Sequence, residues 1–172
     1  MQPSLTIRLE GPADLSQIEG VVRRAFGRPD EAQLVNALRR SASPFLSLVA
    51  LHGDHVVGHV ALSPVAIEGP RAGPISAGLA PLSVLPETQR HGIGAALMKA
   101  ALSECSSIGW EAVFLLGEPL YYARFGFEVA APRGLHYESH AFDHAFQCRE
   151  IRRGALVGVT GWVRYHEAFA GL

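Results

Sequence analysis

Cysteine is scarce in this chain, with only Cys105 and Cys148 among 172 residues. The two stand far apart, in segments that read as helix and strand, so no disulfide framework is indicated and buried thiols are expected. Neither sign of charge is in excess: the formal net charge is −1, which excludes the basic face of a general nucleic-acid binder. No stretch reaches about 18 uncharged apolar residues, and the opening "MQPSLTIRLEGPADL" lacks a basic region followed by an apolar core. Neither a membrane span nor a secretory leader is expected, and the chain reads as a cytoplasmic protein. Repeats and low-complexity tracts are missing too. With 48% hydrophobic residues, a chain of this length can bury a core of its own, and a single domain over 1–172 is expected.

The elements alternate in type. "LTIRL" (5–9) has strand alternation, and "GPADLSQIEGVVRRAF" follows with Leu15, Ile18, Val22 and Phe26 at helical spacing behind a proline suited to a first turn. "DEAQLVNALRR" offers Asp30 as N-cap with Gln33 three residues on, and Leu34, Val35 and Leu38 as an apolar stripe. Three strands then read at roughly 45–52, 55–68 and 75–85, joined by the hairpin signal "HGD" and the cluster "EGPRAGP". A helix from about Gly92 to Ser106 leads to the strand "EAVFLLG", and a helical crossover makes that strand parallel to its predecessor. A short helix "PLYYARF" and strand-like runs at "FEVA", "AFQCREI" and "VGVTGWVRY" complete an α/β chain with a mixed sheet.

"LPETQRHGIGAALMKA" (85–100) joins the third of these strands to its helix and sets Gly92 and Gly94 at the helix start. The first amides of a helix have no intrahelical partner, and with the helix dipole they favour an anion by roughly 0.3–2 kcal/mol per nearby charge. Arg90 adds a cation. Tight helix–strand packing alone would also explain a bare GxG. Among phosphate motifs, GxxxxGK[ST] is absent. A dinucleotide fingerprint needs a small third residue where Leu97 stands, has its glycines directly after the strand, and opens the fold instead of following three strands of meander, although Glu118 ends the next strand where a ribose-binding acid would be. The third pattern, Q/R-x-x-G-x-G/A, is met by Gln89, Gly92 and Gly94.

In that motif, in its context "LSVLPETQRHGIGAALM", in "YYARFGF" with Tyr122 four residues before Gly126-Phe127, and in the opening "IRLEGPADLSQIEGVVRRAF", the chain resembles the GNAT superfamily of N-acetyltransferases. The ending "GALVGVTGWVRYHEAF" is similar to a bacterial subgroup of predicted acetyltransferases. The resemblance implies a GNAT-like fold, an antiparallel meander followed by a parallel strand–helix–strand unit, and an acyltransferase of groups other than aminoacyl. It implies acetyl-CoA as cosubstrate, its pyrophosphate on the amides of Arg90, His91, Gly92, Ile93, Gly94 and Ala95 and its pantetheine along Leu82, Ser83 and Val84, with Gln89 and Tyr122 also at the cofactor. The expected partner is a small-molecule or peptide amine, with no nucleic acid or membrane, and a homodimer is one compatible assembly. Pro81 gives that strand an independent reason to part from a neighbour, because proline cannot donate to a ladder.

The implied reaction is attack by a neutral amine on a thioester, through an oxyanion, with a thiolate leaving. A backbone amide near Val84 would hold the oxyanion. Tyr122 is the expected acid, and Tyr121 the packing tyrosine beside it. The strand "AGLAPLSVL" contains no acid to serve as base; Glu118 is the substitute, with capping of "PLYYARF" as its other reading, and Ser83 would orient a water. His136, His140 and His144 in "HYESHAFDH" are spaced four apart, yet an irregular exposed loop is expected there and no metal. His52, His55 and His59 are expected at the surface or half-buried, and the acceptor amine is not readable from the loops around 28–31 and 134–144.

Overall fold

Runs of leucine and β-branched residues extend the chain at Leu5–Leu9 (β1), Leu46–His52 (β2), His55–Glu68 (β3) and Ser76–Val84 (β4). The structure is a computed structural model and describes residues 4–172. Between β1 and β2 lie helices Leu15–Phe26 (α1) and Asp30–Ser41 (α2). Asp30 is the first helical residue and not the cap expected of it. Pro29 already has helical dihedrals, and its carbonyl accepts the Gln33 N–H at 3.0 Å, so the helix starts one residue earlier and no side chain caps it. The Asp30 and Glu31 carboxylates still lie in the first turn, where the helix dipole favours them.

Helix Ile93–Ile108 (α3) follows β4, then strand Ala112–Leu116 (β5) and the one-turn helix Pro119–Tyr122 (α4). Four short strands come last: Glu128–Val129 (β6), Leu135–His136 (β7), Phe146–Glu150 (β8) and Gly161–Arg164 (β9). The run "VGVTGWVRY" is thus extended only from Gly161, because Gly154 and Gly158 carry φ of 84° and 73° and keep the preceding residues in turns.

The described residues form two compact units. One comprises 4–62, 80–101 and 167–172; the other comprises 63–79 and 102–166, so β3, β4 and α3 each contribute to both. In the first unit β2 pairs antiparallel with β1, from Leu5↔His52 to Leu9↔Leu48, and with β3, from Leu46↔Leu62 to His52↔His55. Ile18, Val21 and Val22 of α1 and Ala32 and Val35 of α2 pack with Val49, Leu51 and Val56 into one buried cluster. Each such large aliphatic side chain contributes about 1.5–3 kcal/mol by leaving water.

In the second unit β4 and β5 run parallel from Ser76↔Ala112 to Gly78↔Phe114. This is the parallel unit that the crossover helix demands. The shared register ends before Pro81, and β4 continues to Val84. β8 is antiparallel to β5 and also pairs with β6, while β9 pairs antiparallel with residues 66–68 of β3 and parallel with β7. Phe114 and Phe146 stack at 5.6 Å within this unit's core, which also holds Ala112, Leu135, Leu156 and Val163. Both cysteines are buried thiols outside any disulfide, and burial pushes each thiol up to about 12, so neither ionises near neutrality.

Candidate active site

The turn between β4 and α3 is built by local bonds. Pro86–Thr88 form a single 3₁₀ turn in which the Thr88 hydroxyl donates to Leu85 O at 3.0 Å. Gln89 Nε2 donates to Val84 O at 3.1 Å, which ties the motif's glutamine to the end of β4 instead of leaving it free for a ligand. His91 Nδ1 lies 3.1 Å from Thr88 O. Arg90 (φ 65°) and Gly92 (φ 82°) both adopt left-handed backbone, and Gly92 has open space where a Cβ would stand. The glycine therefore serves backbone conformation, which other residues adopt at a cost.

The first helical bond of α3 runs from Ala96 N–H to Gly92 O at 3.0 Å, so Ile93, Gly94 and Ala95 precede the first helically bonded amide. Gln89, Arg90, His91 and Gly92 are exposed, Ile93 is buried, and Gly94 and Ala95 are half-buried. A bidentate pair, Arg24 Nη1 and Nη2 to the Glu87 carboxylate at 2.8 and 2.7 Å, ties the turn to α1. The Arg24 hydrogen bonds hold the Glu87 carboxyl below its ordinary value. Nothing in the sequence motif signals this partner.

Along β4, Leu82 and Val84 are half-buried and Ser83 is buried, its Oγ having no hydrogen-bond partner among the described residues. An unpartnered buried hydroxyl is costly and suits a position that meets water or a ligand. The amide after the strand is committed elsewhere: Leu85 N–H donates to Val57 O at 2.9 Å.

The second unit holds the other two candidates. Glu118 is exposed and N-caps α4, its Oε1 accepting from Leu120 N–H at 3.3 Å, which is the capping geometry open to it from sequence. Tyr122, half-buried, meets Tyr121 edge-on at 4.9 Å and Phe127 at 6.1 Å between ring centroids. Burial pushes its hydroxyl pKa up, with Tyr121 adding to the effect, so the group stays protonated and can donate. Gly117 makes room for it. A Cβ there would stand 2.5 Å from Tyr122 Cε2, closer than any real contact, so residue 117 fixes where that ring lies. Tyr121 packs on Phe125 at 5.5 Å, with the Arg124 guanidinium over its ring.

His59 and the segment 134–144 differ from expectation. His59 is wholly buried, neither at the surface nor half-buried, because residues 56–63 of β3 are covered on both faces and strand alternation exposes none of them. Its Nε2 lies 2.7 Å from Ser47 Oγ, and Ser47 in turn bonds to Glu10, which Arg39 holds at 2.7 and 3.0 Å. Ser47 has one proton and a carboxylate to give it to, so His59 donates from Nε2 and its Nδ1 lone pair is left without a partner. Burial lowers the His59 pKa from 6.5 to about 4. Secondly, the segment 134–144 is not a featureless loop: β7 and the 3₁₀ turn His140–Phe142 bring His136, His140 and Asp143 together, while His144 Nδ1 instead lies 3.1 Å from Ala141 O.

The meander, the parallel β4–α3–β5 unit and the glycine turn between β4 and α3 define an acyltransferase-type fold, and the chain belongs to the GNAT family of acetyltransferases. The family model described as an acetyltransferase (GNAT) domain matches residues 6–130. Over 96% of this chain and 98% of the relative, the sequence is 39% identical to the uncharacterized N-acetyltransferase YhbS of Escherichia coli K12. The crystal structure of E. coli YhbS in complex with CoA superposes with a TM-score of 0.88 at 37% identity, covering 98% of this chain and 94% of that one. A GNAT family acetyltransferase of Brucella melitensis in complex with acetyl-CoA gives 0.78 at 36% identity, covering 96% and 98%. Among the described residues no helix is long and apolar enough to cross a membrane.

Proposed function

We propose that residues 1–172 act as one N-acetyltransferase domain that transfers the acetyl group of acetyl-CoA to a primary amine by direct attack in a ternary complex, in the cytoplasm. The strongest support is the turn at 89–95, with left-handed Arg90 and Gly92 and a helix start whose amides precede the first helical bond. Relatives that share nearly the whole chain have been solved with CoA and acetyl-CoA. In this proposal the pyrophosphate rests on the amides of Arg90 through Ala95, with Arg90 adding its charge. The amide-rich pantetheine runs along Leu82, Ser83 and Val84, completing β4 as a peptide completes a sheet edge.

The neutral amine attacks the thioester carbon, forming the C–N bond and an oxyanion that the Val84 region's backbone stabilises. The oxyanion collapses, the C–S bond breaks, and the leaving thiolate accepts a hydrogen bond from the Tyr122 hydroxyl. With ordinary values near 10 for tyrosine and 8.5 for a thiol, full transfer is uphill by about 2 kcal/mol, and more once burial raises Tyr122. Tyr122 therefore serves best as a donor that strengthens as negative charge grows on sulfur. The ammonium proton leaves to water, with Glu118 as the assigned base and Ser83 as the group that orients a water.

A second reading is a CoA-binding or sensing domain without efficient catalysis. It is favoured by the acid-free sequence of β4 and by the use of Glu118 as a cap. Thiol release from acetyl-CoA, measured across a panel of primary amines, decides between them. Turnover on one or more amines supports the transferase; saturable CoA binding with no turnover on any amine supports the sensor.

A further inference from the structure

We propose that His136, His140 and Asp143 form a binding site for one divalent transition-metal ion of borderline softness, represented by Zn²⁺. The three donors come from different backbone environments, which is why a helical count does not find them. His136 is fixed in β7 opposite Trp162 of β9. His140 opens a single 3₁₀ turn that Ser139 caps, its Oγ accepting from Ala141 N–H at 3.3 Å. Asp143 closes that turn, its N–H donating to His140 O at 3.1 Å. An i, i+4, i+8 count would select His144, but the fold turns that ring toward a backbone carbonyl and places a carboxylate in the group instead.

The side chains are already gathered. His136 Nδ1 lies 2.8 Å from Asp143 Oδ1 and His140 Nδ1 lies 3.0 Å from Asp143 Oδ2, and one donor atom from each residue falls within 4.8 Å of the others. Around an ion with bonds of about 2.0–2.2 Å, adjacent donors stand roughly 2.9–3.5 Å apart, so small side-chain rotations suffice. The two imidazoles meet edge-on at 4.7 Å, and the Trp162 indole lies 5.2 Å from each, which restricts both rings before any ion arrives. Less side-chain freedom is then lost on binding.

The proton balance is simple. Without metal, each Nδ1 faces a different oxygen of the Asp143 carboxylate. On binding, the cation takes the place of the Nδ1 protons, which pass to Nε2 or to solvent, and the nitrogen lone pairs and the carboxylate face the ion. Two imidazoles and one carboxylate suit Zn²⁺, Co²⁺ or Ni²⁺, whereas Mg²⁺ and Ca²⁺ prefer oxygen alone. Three protein ligands leave positions open to water.

The test uses the untagged full-length chain, stripped by chelator and titrated calorimetrically with ZnCl₂ at neutral pH. One Zn²⁺ per chain is expected. His140→Gln and Asp143→Asn should each weaken binding at least about tenfold, since loss of even an outer-shell partner costs 10–100-fold. His144→Gln should bind as wild type. The His140 side chain is 70% exposed, so its variant keeps the fold and decides the matter even if Asp143→Asn does not. Acetyl-CoA binding is expected to be the same with and without Zn²⁺, so failure here leaves the transferase untouched. No saturable Zn²⁺ binding, or binding unaffected by His140→Gln, overturns the site and leaves Asp143 as a hydrogen-bonding brace of the turn.

Discussion

Lowering the pH from about 7.5 to about 5 should remove about 2 kcal/mol of folding stability through His59 alone. The folded protein holds this imidazole neutral: it is wholly buried, and burial depresses its pKa from 6.5 to about 4. Because the folded value lies below the unfolded one, the unfolded chain binds the proton first as pH falls. Stability is therefore complete above about 6.5 and is lost progressively down to about 4, where the full shift corresponds to about 3 kcal/mol. Near pH 5 most of that loss has occurred while ordinary carboxylates remain largely ionised, which separates His59 from acid denaturation at large. Glu10 does not offset it. Burial pushes the Glu10 carboxyl up, but bonds from Arg39 and Ser47 outweigh this and lower it, so Glu10 contributes only at more acidic pH.

The assay is urea unfolding followed by tryptophan fluorescence at the two pH values, in wild type and in His59→Gln. Glutamine can still donate to Ser47 but does not titrate. The variant should be flat over the interval where wild type loses about 2 kcal/mol. Equal slopes in the two proteins would refute a buried neutral His59.

Tyr122→Phe keeps the ring and should leave acetyl-CoA affinity nearly unchanged while turnover on an active amine falls about 10²–10⁴-fold, with Tyr121→Phe as the silent control. Equal activity in wild type and Tyr122→Phe removes the hydroxyl from the mechanism. Gly117→Ala places a methyl where the Tyr122 ring lies, so it should lower turnover in wild type. It should add little in a Tyr122→Phe background; full additivity would show that residue 117 acts elsewhere.

The antiparallel meander and the parallel crossover were legible because long β-branched runs, two turn clusters and one strongly apolar helix leave few arrangements. The glycine turn was legible because its backbone needs are written in residue type. Other features were hidden for a common reason: they depend on partners distant in sequence. His59 looks like a hairpin-flanking surface histidine until Glu10, Ser47 and Arg39 supply a polar pocket inside a strand covered on both faces. Asp143 carries no helical period with His136, since a strand and a 3₁₀ turn intervene. Glu118 showed both its possible roles in sequence, and the capping bond is the one that the fold forms.

The account stands most directly on what the 89–95 turn holds, which calorimetric titration with acetyl-CoA measures, using wild type and Gly94→Asp with NAD in parallel. Wild type should bind one acetyl-CoA per chain, NAD should give no heat of binding, and Gly94→Asp should lose acetyl-CoA because a carboxylate at the helix start repels phosphate. Binding of NAD without acetyl-CoA, or unaltered acetyl-CoA binding by folded Gly94→Asp, would contradict it.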